Sequence, residues 1–171
     1  IMSVIAVKKY KDKIVIGSDQ QISFWRDAKE KKHETTPIKL HKISDNMIFG
    51  SAWSCSESNC MKMFLEHYEP KLIIDLKSVF EMIKQFKDRW KDYGWDEKCE
   101  NEYLLITNWK IYNIMWWTYI EEITDYSAIW SWWIKAMCCL HSWVDVEQTL
   151  KSVCAYDIYC SEPIILHTVE L

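Results

Sequence analysis

Two β-branched runs around a polar turn decide the start of the fold, and they lie in the stretch Ser3-Val-Ile-Ala-Val-Lys-Lys-Tyr-Lys-Asp-Lys-Ile-Val-Ile-Gly-Ser-Asp19. The runs occupy residues 4–7 and 14–16, and residues 10–13 form the polar turn. Valine and isoleucine favour extended backbone, and polar residues between two such runs mark a chain reversal. The stretch therefore predicts a β-hairpin.

Apolar spacing along the rest of the chain changes between strand and helix patterns. Further extended segments are predicted at residues 38–43, 47–49, 103–106, 111–115, 119–123 and 164–169. Helices are predicted around residues 61–68, 76–90, 131–142 and 146–159. Asp75 and Asp145 are expected as N-caps, the latter with Gln148 in a capping-box-like pattern, and Pro70 closes the first helix. Two sheets covered by two helical layers would bury every apolar face, which predicts an α+β fold, a four-layer αββα sandwich.

Size and charge narrow the class of protein. The chain has 171 residues, which fits one domain spanning 1–171. Its net charge of −4 argues against a nucleic-acid surface. The most apolar run, residues 111–120, is shorter than the roughly 20 residues of a membrane span. The N-terminus has no basic region followed by an apolar core, so we expect a cytoplasmic protein with no membrane contact.

The cysteines fit reduced thiols better than disulfides or metal ligands. There are seven, with no Cys-x-x-Cys pair, a usage typical of a cytoplasm. Neither the pair Cys55 and Cys60 nor the adjacent pair Cys138 and Cys139 has the spacing of a zinc site. We therefore expect no metal and no cofactor.

Five segments in a fixed order resemble one known family. They are Ser3-Val-Ile-Ala-Val7, Ile14-Val-Ile-Gly-Ser-Asp19, Ile38-Lys-Leu-His-Lys-Ile43, Ile48-Phe-Gly-Ser-Ala52 and Ala128-Ile-Trp-Ser131. Together they resemble the proteasome β-subunit and HslV family of N-terminal nucleophile (Ntn) hydrolases. The resemblance spans almost the whole chain, and it implies the same αββα sandwich that the element order predicts.

The resemblance implies a nucleophile at the first residue of the mature chain. Ungapped counting back from Asp19 lands on Ser3, whereas a one-residue gap would place Met2 there, which has no nucleophile. The family favours threonine, and serine carries the same hydroxyl. The α-amine of that residue acts as general base, with an ordinary pKa of about 7.7–8.0. Lys39 matches the essential lysine that depresses the pKa of the amine and hydroxyl, and Asp19 would hold Lys39.

The resemblance also implies three supporting positions. Ser131 and Asp157 match residues that support the terminal amine, with Cys160 where many relatives have Ser or Thr. The oxyanion donor is a backbone N–H that the family places on glycine, and here that position is Trp53. Plainer interpretations remain: Ser3 as a surface residue, Lys39 as an exposed strand lysine, and Asp157 as a helix-end carboxylate.

By analogy, the chain is a threonine/serine-type peptidase subunit that cleaves unfolded polypeptides. The family implies a homo-oligomeric ring and an AAA+ ATPase unfoldase as partner. Two alternatives stay open. One is a non-catalytic, structural proteasome-like subunit, which Trp53 favours because its ring would obstruct the oxyanion loop. The other is an Ntn amidase acting on a small molecule.

Several tryptophans occupy turn positions at which glycine is the preferred residue. The chain has 11 Trp and 3 Gly. Trp53, Trp109, Trp143 and the run Trp130-Ser-Trp-Trp133 occupy turn or loop positions. Glycine at all eleven positions would raise the glycine share to about 8%, near the usual roughly 7%. We hypothesise a codon, UGA, that the source organism reads as glycine; engineering, a Trp-rich core or a sugar-binding surface are the alternatives.

Overall fold

The computed structural model describes residues 4–21, 39–68, 73, 75–92, 101–115, 119–130 and 132–170. The strands there are β1 (Val4–Lys9), β2 (Lys13–Asp19), β3 (Leu40–Ser44), β4 (Met47–Ala52), β5 (Glu102–Thr107), β6 (Lys110–Met115), β7 (Tyr119–Ile123), β8 (Tyr126–Trp130) and β9 (Ile164–Glu170). The helices are α1 (Cys55–Glu66), α2 (Leu76–Asp92), α3 (Trp133–His141) and α4 (Val146–Tyr156). None of these helices is both long and apolar enough to cross a bilayer.

The strands form two antiparallel sheets. One has the order β8-β1-β2-β9, and the other has the order β3-β4-β5-β6-β7. The predicted hairpin is confirmed, since β1 pairs with β2 and places Ile5 opposite Ser18. On its other side β1 pairs with β8, where Val4 lies opposite Trp130. The first strand of the chain is therefore held inside its sheet from both sides.

Apolar side chains gather in three buried clusters. One joins the facing strands of the two sheets, with Ile5 and Ile16 against Ile48 and Ile106. The second lies where α1 and α2 pack on the five-stranded sheet. The third lies where α3 and α4 pack on the four-stranded sheet. The alternating apolar residues of β1 and β2 thus serve two clusters at once, as the pleat requires.

Helix starts follow the sequence pattern closely. The Asp145 carboxylate accepts from the backbone N–H of Gln148 at 2.8 Å, as expected of an N-cap. The Asp75 carboxylate accepts from Ser78 N at the same distance, directly before α2. At the start of α1 the Ser54 hydroxyl accepts from Glu57 N. The expected closure at Pro70 falls outside the described residues.

The structure has one strand that the sequence did not predict, and several boundaries differ from the expectation, the largest at α1, which spans Cys55–Glu66 rather than 61–68. β8 was not predicted, because its five residues include Ser127 and Ala128, which carry little apolar signal. The helix expected from residue 131 begins at Trp133, and the last helix ends at Tyr156 rather than 159. β3 begins at Leu40.

The backbone has positive φ at five of the six tryptophan positions that the sequence singled out as turns, and the sixth, Trp133, begins α3. φ is 107° at Trp53, 66° at Trp109, 70° at Trp130, 60° at Trp132 and 65° at Trp143. A side chain with a Cβ is strained there, whereas glycine is not.

Candidate active site

Asp19 is the centre of a buried polar cluster at the end of β2. Its Oδ1 atom accepts from Lys39 Nζ at 2.8 Å and from the backbone N–H of Val4 at 3.0 Å. Its Oδ2 atom accepts from Gln21 N at 3.0 Å. Burial raises the pKa of the Asp19 carboxyl, and the Lys39 ammonium and the two N–H donors oppose that rise. The carboxyl therefore links the lysine to the first described residue of β1.

Lys39 is buried, so its interpretation as an exposed strand lysine is wrong. Only 5% of its side chain is exposed, and Asp19 is fully buried. Its backbone carbonyl accepts from Ser51 N at 3.0 Å, which fixes the lysine beside β4. Removing one partner of a buried ion pair typically costs about 3–5 kcal/mol, because the other charge is left uncompensated. A buried pair this expensive to break is typical of a functional site, although structural pairs also occur.

Two of the predicted site residues, Ser3 and Ser131, lie outside the described residues. Their described chain neighbours are Val4 and Trp130, which are paired between β1 and β8. The N–H of Val4 is the group that Asp19 binds. The segments that carry both serines therefore enter the described structure at the same sheet position, next to the Asp19–Lys39 pair.

Position 53 adjoins this region through aromatic stacking. The Trp53 and Trp130 rings stack with centroids 4.8 Å apart and an angle of 20° between their planes. Trp53 stands between the last residue of β4 and Ser54, the N-cap of α1. Its backbone, with φ of 107°, belongs to a region that L-residues rarely occupy.

Asn101, which the sequence did not single out, holds the turn that carries position 53. Its side-chain oxygen accepts from Ser54 N, and its Nδ2 donates to Ser54 O at 2.9 Å. Glu57, at the start of α1, accepts from Tyr103 OH at 2.9 Å and from Asn101 N at 3.4 Å. Both polar groups of the Ser54 backbone are thus fixed by one side chain from the segment before β5. The partners are 47 residues apart in sequence, so no local pattern signals the pair.

Replacing Asn101 with alanine is expected to destabilise the fold by about 1–3 kcal/mol, since the buried turn loses both side-chain hydrogen bonds. Urea unfolding of the two proteins measures the difference. Asn101→Asp is a second variant. It keeps an acceptor for Ser54 N, but it replaces the donor to Ser54 O with a second acceptor and adds a negative charge near Glu57, so it is also expected to be less stable than the parent. Equal stability of the alanine variant and the parent would contradict the role given to Asn101.

Asp157 lies at the C-terminal end of α4 and is buried. Its Oδ1 accepts from Tyr159 N at 2.9 Å, and its Oδ2 accepts from Cys160 Sγ at 3.2 Å. Burial raises the pKa of the Cys160 thiol, and the negative charges of Asp19 and Asp157 raise it further. Cys160 is therefore a neutral donor and not a reactive thiolate. The hydrogen bond from Gln20 N to Ser161 O ties this loop to the end of β2.

A buried histidine stands beside the same strands. His41 Nε2 is 2.9 Å from Ser58 Oγ, and the Ser51 hydroxyl donates to Ser58. The His41 ring also stacks on Phe49 with centroids 4.6 Å apart. Burial, followed by the charge of Lys62, lowers the pKa of His41 to about 4. The ring is therefore neutral at physiological pH.

The depressed His41 pKa predicts loss of stability in mild acid. The unfolded chain takes up a proton near pH 6.5, whereas folded His41 does so near pH 4. Its contribution is present above pH 6.5 and declines as pH falls toward 4, by about 3 kcal/mol in total. The free energy of unfolding in urea is measured for the parent and for His41→Gln between pH 7.5 and pH 4. The difference between the two pH profiles isolates the contribution of His41. Parallel pH profiles for the two proteins would argue against it.

Among the described residues, no group of three or more His, Cys, Asp or Glu side chains is arranged to hold a metal ion. The site therefore consists of one buried cation, its carboxylate partner and backbone groups near the beginning of β1.

No family model matches the sequence, and no curated protein matches it either. Solved structures share its fold over nearly the whole chain. BPH from Thiobacillus denitrificans, in complex with epoxomicin, has a TM-score of 0.80 at 12% identity, covering 98% of each chain. The eukaryotic HslV from Trypanosoma brucei has a TM-score of 0.77 at 15% identity, covering 98% of this chain and 99% of that one.

In its described residues the chain is a mixed α/β protein with two antiparallel sheets and four helices. This is a proteasome-like fold, the class that its sequence segments predicted. More particularly, the fold is that of HslV and BPH, so the resemblance is confirmed at the level of the fold.

Proposed function

We propose that the chain is a peptidase subunit of a proteasome-like, HslV-like protease, with Ser3 as its N-terminal nucleophile. The observation that carries the proposal is the bond of Asp19 Oδ1 to both Lys39 Nζ and Val4 N. It brings a buried cation beside the backbone that leads directly to residue 3. A positive charge there favours the neutral α-amine and the ionised hydroxyl, which the chemistry needs.

The proposed reaction proceeds through an ester. Ser3 Oγ attacks the carbonyl carbon of a peptide bond while its proton passes to the α-amine of Ser3. The tetrahedral oxyanion accepts a hydrogen bond from the backbone N–H of residue 53. The intermediate expels the amine product, which takes the proton, and leaves an acyl ester on Ser3. Water then attacks the ester with the α-amine as base, releasing the acid and restoring the hydroxyl. Ser131 and Asp157 support the terminal amine.

A test needs protein whose first residue is Ser3, produced by cleaving a fusion immediately before that residue. Epoxomicin, which the Thiobacillus protein binds in its solved complex, serves as the covalent probe, and intact mass reports the adduct. An unstructured fluorogenic polypeptide reports turnover. The expected result is one adduct per chain and slow hydrolysis, both absent in Ser3→Ala. A chain that forms neither, with tryptophan or with glycine at position 53, is a structural subunit, the second candidate.

Trp53 supports the structural candidate, because a bulky ring that stacks on Trp130 occupies the position at which the family has glycine for its oxyanion donor. The small-molecule amidase is separated from the protease by substrate size. Hydrolysis of short amides without any cleavage of an unfolded polypeptide would favour the amidase and reject the peptidase.

The proposal includes the assembly and architecture that go with this class. The subunit would form a homo-oligomeric ring served by an AAA+ ATPase unfoldase in the cytoplasm. Its single domain, 1–171, would stack as a four-layer αββα sandwich. The three separate apolar clusters support that order, since one lies between the sheets and one under each helix pair. Light scattering of the purified protein tests the ring.

A further inference from the structure

Positive φ concentrates on one residue type in this chain. Within the described residues, the six non-glycine positions with positive φ are Asn108 and five tryptophans. Only seven of the eleven tryptophans are described at all. A few per cent of non-glycine residues have positive φ, so five in seven would arise by chance with a probability on the order of 10⁻⁶. The association needs a cause beyond chance.

The turn between β5 and β6 shows what these positions require. Two residues join the strands, and both have positive φ, 46° at Asn108 and 66° at Trp109. This is the pattern of a type I′ turn, for which Asn-Gly is the preferred sequence. Asparagine occupies the first position as that preference predicts. The second position holds tryptophan where the backbone requires glycine.

The end of α3 gives an independent example. Trp143 N donates to Leu140 O at 3.2 Å, and Val144 N donates to Cys139 O at 3.2 Å. These two bonds define a Schellman motif, whose left-handed residue is usually glycine. That residue is Trp143, with φ of 65° and a side chain that is 89% exposed. An indole ring this exposed gains little from burial. Its cation–π contact with Lys8 Nζ, 5.6 Å from the ring centroid, is worth about 0.5–1 kcal/mol at an exposed site, against about 1–2 kcal/mol for left-handed backbone.

The other three tryptophans with positive φ lie next to the N-termini of α1 and α3. Trp53 precedes the N-cap of α1. Trp132 is itself the N-cap of α3, with φ of 60° and ψ of 23°, and makes no side-chain capping bond. Trp130 closes β8 with φ of 70°. Close approach of backbone at such loops is the usual reason for glycine.

Trp90 differs in every respect. It lies inside α2, is 5% exposed, and packs against Phe86 with ring centroids 5.9 Å apart. A buried aromatic residue in a helix is ordinary, whereas glycine there would open a large cavity and weaken the helix. Trp133 has helical backbone torsions, which both tryptophan and glycine can adopt. The remaining four tryptophans lie outside the described residues.

The described glycines complete the contrast. A Cβ on Gly17 would meet Leu150 Cδ1 and Leu166 Cδ2 at 2.6 Å, and one on Gly50 would meet Ile5 Cγ2 at 2.8 Å. Both glycines stand in strands, where a Cβ would force neighbouring side chains to shift. The described residues thus contain glycine where space demands it, and tryptophan where the backbone torsion demands glycine.

We infer that the source organism inserts glycine at positions 53, 109, 130, 132 and 143 and tryptophan at position 90. Two different codons must then have been translated as tryptophan in this sequence. The tryptophan codon UGG encodes residue 90, and UGA encodes the five turn positions. A glycine-charged tRNA whose anticodon pairs with UGA is the partner that this decoding requires. The inference concerns backbone geometry and holds whether or not the chain is a peptidase.

Two direct measurements test this assignment. The gene sequence is expected to carry UGA at the five positions and UGG at position 90. Peptide mass spectrometry of protein purified from the source organism is expected to find glycine at the five and tryptophan at 90. UGG at any of the five codons, or tryptophan in their peptides, would overturn the inference. Glycine at position 90 would overturn the division between the two groups.

A third test uses recombinant protein and a matched control. The five tryptophans are changed to glycine in one variant and to alanine in the other. Both remove the rings, but only glycine relieves positive φ. The glycine variant is expected to melt about 5–10 °C above the alanine variant. Equal melting temperatures would contradict the inference. Adding Trp90→Gly to the glycine variant is expected to lower its melting temperature, so glycine at all eleven positions is not the optimum.

Discussion

Lys39→Ala is expected to lower peptide turnover by about 100–1000-fold, the scale on which losing one preorganised electrostatic group slows an enzyme. The expectation follows from the 2.8 Å bond between Lys39 Nζ and Asp19, beside the backbone of Val4. Without the cation, the α-amine and hydroxyl of Ser3 lose the charge that favours their reactive forms. The measurement is kcat/KM on an unstructured fluorogenic peptide, with protein that begins at Ser3.

A loss of activity through unfolding must be separated from a loss of chemistry. Lys39→Ala is expected to cost about 3–5 kcal/mol of stability, because Asp19 keeps a buried charge without its partner. The double variant Asp19→Asn with Lys39→Met removes both charges but keeps an acceptor for Val4 N, and is expected to recover part of that stability. It should remain inactive. Turnover near the parent rate in either variant would reject the catalytic assignment of Lys39.

Trp53→Gly is expected to raise peptide turnover by about 100–1000-fold over the chain with tryptophan, the value of one well-aimed oxyanion donor. The indole ring is bulky and stacks on Trp130 with centroids 4.8 Å apart, directly beside the backbone N–H that is proposed as the oxyanion donor. Glycine adopts φ of 107° without strain and places no ring beside the N–H that would approach the substrate. The assay compares kcat/KM for the two proteins, each with Ser3 as first residue.

Trp53→Ala is the control for the second prediction. It removes the ring but keeps a Cβ at the same strained torsion, so it should recover only part of the gain. Thermal unfolding of all three proteins shows whether activity simply follows stability. If glycine and tryptophan at residue 53 support equal turnover, the oxyanion role of that residue is wrong.

Much of the fold could be read from local patterns, because its strands and helices are amphipathic at their own periods. The hairpin of β1 and β2 and the caps at Asp75 and Asp145 depend on neighbours within a few residues. β8 was missed because Ser127 and Ala128 carry little apolar signal in the sequence, although both are buried and pair with β1. Its strand state is a property of the sheet and not of its own residues.

The features of the candidate site also fall into those that the sequence predicted and those that it could not predict. The pairing of Asp19 with Lys39 was expected from the family resemblance, and the structure contains it. The hydrogen bonding of the Asn101 side chain to the Ser54 backbone could not be predicted, because amide side chains carry no periodic signal and the two residues are distant in sequence. The neutral state of His41 likewise depends on burial, which only the packed structure defines. Ser3 and Ser131 remain predictions.

The place of β1 within its sheet bears on how a mature end would be made. β1 is hydrogen-bonded to β2 on one side and to β8 on the other, and the N–H of Val4 is held by Asp19. Exopeptidases trim ends that can be drawn out as free, extended chain. Trimming from upstream should therefore stall where the ladder begins, whatever the length of the sequence removed. The pairing of β1 in its sheet would then fix the position of the new terminus, independently of the specificity of the trimming enzyme.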